Sequence, residues 1–175
     1  MFREKPINLS LDVEADGPAP GLYSMISFAV VDINDPNRFF YGELRPISTQ
    51  FNFENLKATG YTREQTLHFR DAKLVMDDFR VWLRKECPNG RPIVWSDNPG
   101  FDWGFLNYYA HWAWGENPLG WSCRRIGDFY AGLVSDPKKS GHWKRLRDTK
   151  HTHNALDDAR GNAEALVKIL NKKYL

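Results

Sequence analysis

Ile7, Leu9, Leu11 and Val13 alternate with Asn8, Ser10, Asp12 and Glu14. That period of two predicts a β-strand with one apolar and one polar face. Ala15 to Gly21 is a turn-rich loop, with Gly17, Pro18, Pro20 and Gly21 as breakers. The apolar run from Tyr23 to Asp32 predicts a buried second strand. Asn34-Asp35-Pro36-Asn37 is a turn signal, and Phe39 to Pro46 reads as a third strand. The first three strands should form an antiparallel meander. Ser48 to Phe69 keeps no period and reads as a long surface connection, with a short helix near Thr62.

From Asp71 the period changes. Leu74, Val75, Phe79, Trp82 and Leu83 follow helical spacing until Pro88-Asn89-Gly90 stops the helix. Pro92 to Ser96 is short and apolar, as a buried parallel strand would be. Asn98-Pro99-Gly100 reads as a helix start, with Asn98 as N-cap and Pro99 at the first helical position. Phe101, Phe105, Tyr108 and Trp112 recur at helical spacing behind it. Trp121 to Ile126 predicts a weaker strand, Gly127 to Val134 a short helix, and Ser135 to Thr152 a polar loop. The chain closes with a helix from Asn154 to Lys172, with Leu156, Ala159, Ala163, Leu166 and Leu170 on one face. His153 should be its N-cap or stand just before it. A meander followed by alternating helices and strands is an α/β pattern around a mixed sheet.

With 175 residues, no repeat and no linker, residues 1–175 read as one domain, long enough to bury a sizeable core. No apolar run has the length of a membrane span, and the N-terminus does not read as a signal peptide. Cys87 and Cys123 stand in no ligand-like pair, which reads as reduced thiols and a cytoplasmic setting. The net charge is only +2, so any affinity for nucleic acid must come from a local basic patch.

Three segments carry candidate chemistry. Alternation puts Asp12 and Glu14 on one face of the first strand, about 7 Å apart along it. Carboxylates that close repel unless a cation sits between them, and a divalent metal with oxygen ligands is the natural one. A plain polar strand face is the better account of the pair when it stands alone. Asp102 falls in the first turn of its helix, and Asp157 and Asp158 in the first turn of the last one. Macrodipole complementarity explains each of these without any site.

Together, in this order, Asp12-x-Glu14, Asn98-Pro99-Gly100-Phe101-Asp102 and His153-Asn154-Ala155-Leu156-Asp157-Asp158-Ala159 resemble the three motifs of the DEDDh (DnaQ-like) 3′–5′ exonucleases. The likeness runs from about Ile7 to Leu170, and its most specific part is the His five residues before an Asp. It implies a ribonuclease H-like fold, with Asp12, Glu14, Asp102 and Asp158 as metal ligands and His153 as general base. Asp157 falls on a variable position. It further implies a 3′–5′ exonuclease acting on single-stranded nucleic acid with a free 3′ end, releasing nucleoside 5′-monophosphates, with a lean towards RNA over DNA. Homodimers are common among small stand-alone relatives, and the sequence neither supports nor excludes one. An inactive nucleic-acid-binding domain and an endonuclease on the same fold are the alternative readings.

The expected chemistry suits these residues. Two divalent cations, Mg²⁺ or Mn²⁺, about 4 Å apart can stabilise both the attacking and the leaving oxygen of a phosphodiester. Asp12 is the best candidate to bridge them. Hard oxygen ligands without a Cys or His cluster argue against zinc. Ala15 and Asp16 stand where the family commonly has two threonines that seat the terminal nucleotide. Ser96-Asp97-Asn98 replaces its usual Gly-His-Asn. By their positions in these motifs, Ala15, Asp16, Asn98 and Phe101 are the candidate substrate contacts that the resemblance implies. Lys144, Arg145 and Arg147 in the polar loop are candidate contacts to the phosphate backbone. Trp143 in the same loop could stack on a base or anchor the loop.

Overall fold

A computed structural model describes residues 6–172. The N-terminal residues 1–5, part of the stretch without a signal-peptide pattern, lie outside the described residues.

The first three strands form as the alternation predicts. β1 (Asn8–Ala15) pairs antiparallel with β2 (Met25–Asp32), which pairs antiparallel with β3 (Asp35–Glu43). On its other side β1 pairs in parallel with β4 (Ile93–Ser96), and β4 with β5 (Cys123–Arg125). The sheet order is β3-β2-β1-β4-β5, so β1 is central. Leu9, Leu11 and Val13 point to one face and join Phe28, Val30, Phe79, Phe105 and Leu106 in one core. That side is covered by α3 (Ala72–Glu86) and α4 (Asp102–Trp114). The other face carries Ala29, Val31 and Trp95 against α5 (Ile126–Leu133) and α6 (Ala155–Leu170). The polar alternates of β1 lie under α6, so this face is apolar only where β1 does not supply it.

Several boundaries differ from the sequence expectation. Tyr23 belongs to the preceding loop, its N–H bonded to Ala19 O at 2.9 Å. The turn signal at Asn34–Asn37 is mostly strand: Asp32 pairs with Asp35, leaving only Ile33-Asn34 as the hairpin connection. Pro36 is tolerated there because β3 is an edge strand, where a missing N–H costs no ladder bond. The aperiodic connection holds two short helices, α1 (Phe53–Ala58) and α2 (Arg63–Leu67). Asn52 caps the first; Thr62 and Gln65 form a reciprocal capping box on the second.

Asn98 does not cap α4 through its side chain. Its carbonyl accepts from the N–H of Phe101 and of Asp102, each at 2.9 Å, and the regular helix begins three residues later than expected. The polar loop is not simply solvated. It winds through two short 3-10 helices, Pro137–Lys139 and His142–Leu146, and Trp143 within the second is fully buried. Gly127 allows this closure, since a Cβ there would stand 2.5 Å from the Ser140 carbonyl oxygen. Trp143 therefore anchors the loop. Cys87 and Cys123 are both free thiols. Among the described residues no helix is long and apolar enough to cross a membrane.

Candidate metal and catalytic centre

β1 delivers Asp12 and Glu14 from the centre of the sheet, on the face that α6 covers. At the N-terminus of α6 the Asn154 side chain accepts from the N–H of Leu156 and Asp157. That cap places Asp157 and Asp158 in the first helical turn. Their sides differ: Asp158 is fully buried and turned towards the sheet, whereas Asp157 is half-buried and accepts from the Thr152 hydroxyl at 3.3 Å. One carboxylate oxygen each from Asp12, Glu14 and Asp158 lies within 4.8 Å of the others.

Asp102 stands just outside this trio. The Ser96 hydroxyl at the end of β4 donates to its Oδ2, and the Asn98 N–H donates to the same oxygen at 3.3 Å. The four acids still share one electrostatic environment. Burial, and then the charges of Asp102, Glu14 and Asp158, push the Asp12 carboxyl well above the ordinary range. Burial, followed by Asp158 and Asp102, raises Glu14 from 4.5 to about 8. Burial raises Asp102 to about 7, although the Ser96 and Asn98 hydrogen bonds oppose the rise. Each shift has the sign that like charges in a poorly solvated pocket require. A divalent cation reverses that sign, and four hard carboxylates are a donor set that Mg²⁺ and Mn²⁺ accept.

The Asp158 carboxylate accepts three hydrogen bonds and faces one histidine. Arg147 Nη2 donates to Oδ1 at 2.7 Å and the Thr152 N–H at 3.2 Å; the His153 N–H donates to Oδ2 at 3.0 Å, and His151 Nδ1 lies 2.8 Å from it. His153 is exposed and sits immediately before the N-cap, with φ of 58°. That left-handed conformation is unfavourable for a residue with a Cβ. It lets the His153 N–H turn back to Asp158 while its ring stands outside, edge-on to the His151 ring at 4.3 Å.

The expected substrate contacts divide. Asn98 is exposed and Phe101 half-buried. Lys144 and Arg145 are exposed; Lys144 pairs with Asp97 at 2.6 Å and Arg145 reaches the Tyr130 hydroxyl at 3.2 Å. Ala15, Asp16 and Arg147 turn inward instead. Ala15 is buried in the core. Asp16 is fully buried, accepting from the Ser24 N–H at 2.6 Å and from Arg63 at 2.7 Å. A carboxylate taken out of water needs such a partner, so Asp16 locks the loop after β1 rather than facing a ligand. Arg147 is committed to Asp158. Arg147, His151 and Ser96 as partners of the acids escaped the sequence reading, because no local period marks a contact made across the fold.

The family described as the 3′–5′ exoribonuclease Rv2179c-like domain matches residues 8–170. The 3′–5′ DNA exonuclease Cap18 of Escherichia coli is 33% identical over 98% of this chain and 95% of that protein. The fold is that of the nuclease domain of 3′hExo, a DEDDh family member solved bound to rAMP, with TM-score 0.75 and 18% identity over 94% of this chain and 92% of that one. It is also that of the zinc-bound E. coli ExoI–ssDNA complex, with TM-score 0.73 and 15% identity over 98% of this chain and 41% of that one.

Proposed function

The chain belongs to the Rv2179c-like 3′–5′ exoribonuclease domain family, within the DEDDh exonucleases, and from that membership we propose that it removes nucleoside 5′-monophosphates from the 3′ end of single-stranded RNA with two divalent cations. The observation that carries this reading is the convergence of Asp12, Glu14 and Asp158 within 4.8 Å, with Asp102 adjoining them. When bound there, Mg²⁺ or Mn²⁺ supplies positive charge to the scissile phosphate and acidifies the attacking water.

The chain's own residues do the rest. Asp12 and Glu14, on a central strand, cannot move apart without breaking the sheet. Asp158 is held by three donors with His151 beside it, and Asp102 by Ser96 and Asn98, so the ligands stand preorganised. His153 is the general base: its neutral imidazole takes the proton of the attacking water. Its exposed ring and the bond from its backbone N–H to Asp158 support that role. Asn98, Phe101, Lys144 and Arg145 are the expected positions facing the substrate.

Cap18, a DNA exonuclease by name, favours single-stranded DNA as a second reading. The deciding experiment is digestion of matched 5′-labelled RNA and DNA oligonucleotides with Mg²⁺, Mn²⁺ or chelator. A ladder shortened from the 3′ end, mononucleotide product and an intact circular control are the expected outcome. Cutting of the circle would make the enzyme an endonuclease, and metal-independent binding without cleavage would make it an inactive module.

A further inference from the structure

Arg147 reaches the acid cluster from a backbone clamped on both sides. Lys168 on α6 donates to the Leu146 carbonyl at 2.8 Å. Glu164, one turn earlier, accepts from the N–H of Asp148 at 2.9 Å and of Thr149 at 2.8 Å. The buried Trp143 pins the turn that precedes them. The side chain then turns inward, 8% exposed, to its 2.7 Å contact with Asp158.

Gly161, in the interior of α6, makes the room. A Cβ there would stand 2.4 Å from Arg147 Nε and 2.7 Å from Nη2. Glycine inside a helix is unfavourable relative to alanine, yet α6 carries one where the guanidinium passes. Arg147 Nε is buried with no hydrogen-bond partner among the described residues, so the group is not placed for hydrogen bonding alone. What the position supplies is charge: Arg147 is a cation whose field reaches Asp12 as well as Asp158.

We propose that Arg147 is a positioning residue for the metal cluster: a permanent counter-ion, seated by Gly161, that holds Asp158 in line with Asp12 and Glu14 and offsets part of their repulsion before a divalent cation binds. This role rests on the reading that these acids hold divalent cations. It replaces the phosphate contact that the loop sequence suggests, because a guanidinium committed to a buried carboxylate does not face a substrate.

The test uses the full chain as wild type, Arg147→Gln, Arg147→Lys, Gly161→Ala and the Arg147→Gln/Gly161→Ala double variant. Thermal melts are run in chelator and in saturating Mn²⁺, and kcat and KM are measured on a 5′-labelled single-stranded oligonucleotide. Arg147→Gln should melt lower than wild type in chelator and gain more from Mn²⁺, because the ion then neutralises repulsion that Arg147 had offset. Arg147→Lys, which keeps the charge, should return the Mn²⁺ gain towards wild type. At saturating Mn²⁺, kcat of Arg147→Gln should fall on the order of 10- to 100-fold with KM little changed, as when a group orienting a metal ligand is lost. Gly161→Ala should lower the melting temperature in the wild-type background and raise it beside Arg147→Gln, where alanine only improves the helix.

An equal drop in chelator and in Mn²⁺, with the wild-type gain preserved, makes Arg147 a packing residue and overturns the proposal. So does a raised KM at unchanged kcat, which marks a substrate contact. If Arg147→Gln does not fold, Gly161→Ala carries the same two readouts, since it displaces the guanidinium. A wild type that gains nothing from Mn²⁺ refutes the metal reading itself, a result distinct from a wild-type gain that Arg147→Gln leaves unchanged.

Discussion

Glu14→Gln should make the metal-free protein more stable, and only above mildly acidic pH. Gln keeps the shape of Glu and loses the charge. In the folded site the Glu14 carboxyl is raised from 4.5 to about 8, first by burial and then by Asp158 and Asp102. Below pH 4.5 the group is protonated in both folded and unfolded chains, and its contribution to stability is fully present. Between 4.5 and 8 the unfolded chain ionises while the folded site retains its proton, so stability drains away as pH rises. The loss is complete above about 8. At about 1.36 kcal/mol per pH unit this amounts to about 5 kcal/mol.

A domain of this size moves its melting temperature by roughly 2–4 °C per kcal/mol, so the variant should melt on the order of 10 °C higher at pH 8 in chelator. At pH 4.5 the two proteins should melt together. Added Mn²⁺ should narrow or invert the order at pH 8. Wild type gains RT ln(1 + [L]/Kd), about 2.7 kcal/mol at a hundredfold excess over Kd, and the variant, lacking one ligand, gains less. The assay is a set of calorimetric melts from pH 4.5 to 8 with and without Mn²⁺. A flat wild-type profile in chelator, or a variant melting at or below wild type at pH 8, would show that these carboxylates do not share one poorly solvated pocket.

Asp12→Asn should fold and bind oligonucleotide but lose two to three orders of magnitude in turnover, on the order expected when one preorganised charge-stabilising group is removed. Asp157→Asn, on the outer side of the same helical turn, should stay close to wild type; equal losses in single-turnover assays would put the third motif out of register. His153→Ala should lose most of its rate and also the rise of rate with pH on the acid side, while oligonucleotide binding persists. An unchanged pH–rate profile would assign the proton to another group. Trp143→Ala should cost about 3–5 kcal/mol in denaturant melts, because it empties a fully buried site under the loop that carries Arg147; a loss below about 1 kcal/mol would mean that the loop is not anchored there.

The sequence by itself determined the parts that repeat locally. The two-residue period of Ile7 to Glu14 was enough for β1 and for the shared face of Asp12 and Glu14. The 3.6-residue period was enough for α3 and α6, and Asn154 marked where α6 begins. The order of the three acidic segments was enough for the family. Where the local signal was weaker, boundaries moved: Pro36 reads as a turn residue anywhere except on an edge strand, and sheet order is not a local property.

The tertiary structure alone decided which charged residues stay exposed and which face each other. Lys144, Arg145 and Arg147 are indistinguishable as a basic run. Clamping by Lys168 and Glu164 and the space beside Gly161 turn only Arg147 inward, while Lys144 and Arg145 stay exposed. Asp16 reads as a substrate contact until Arg63, far along the chain, is found paired with its buried carboxylate. In each case the deciding partner lies across the fold. A period records which face a residue takes on its own element; it carries no information about the charge that element will meet.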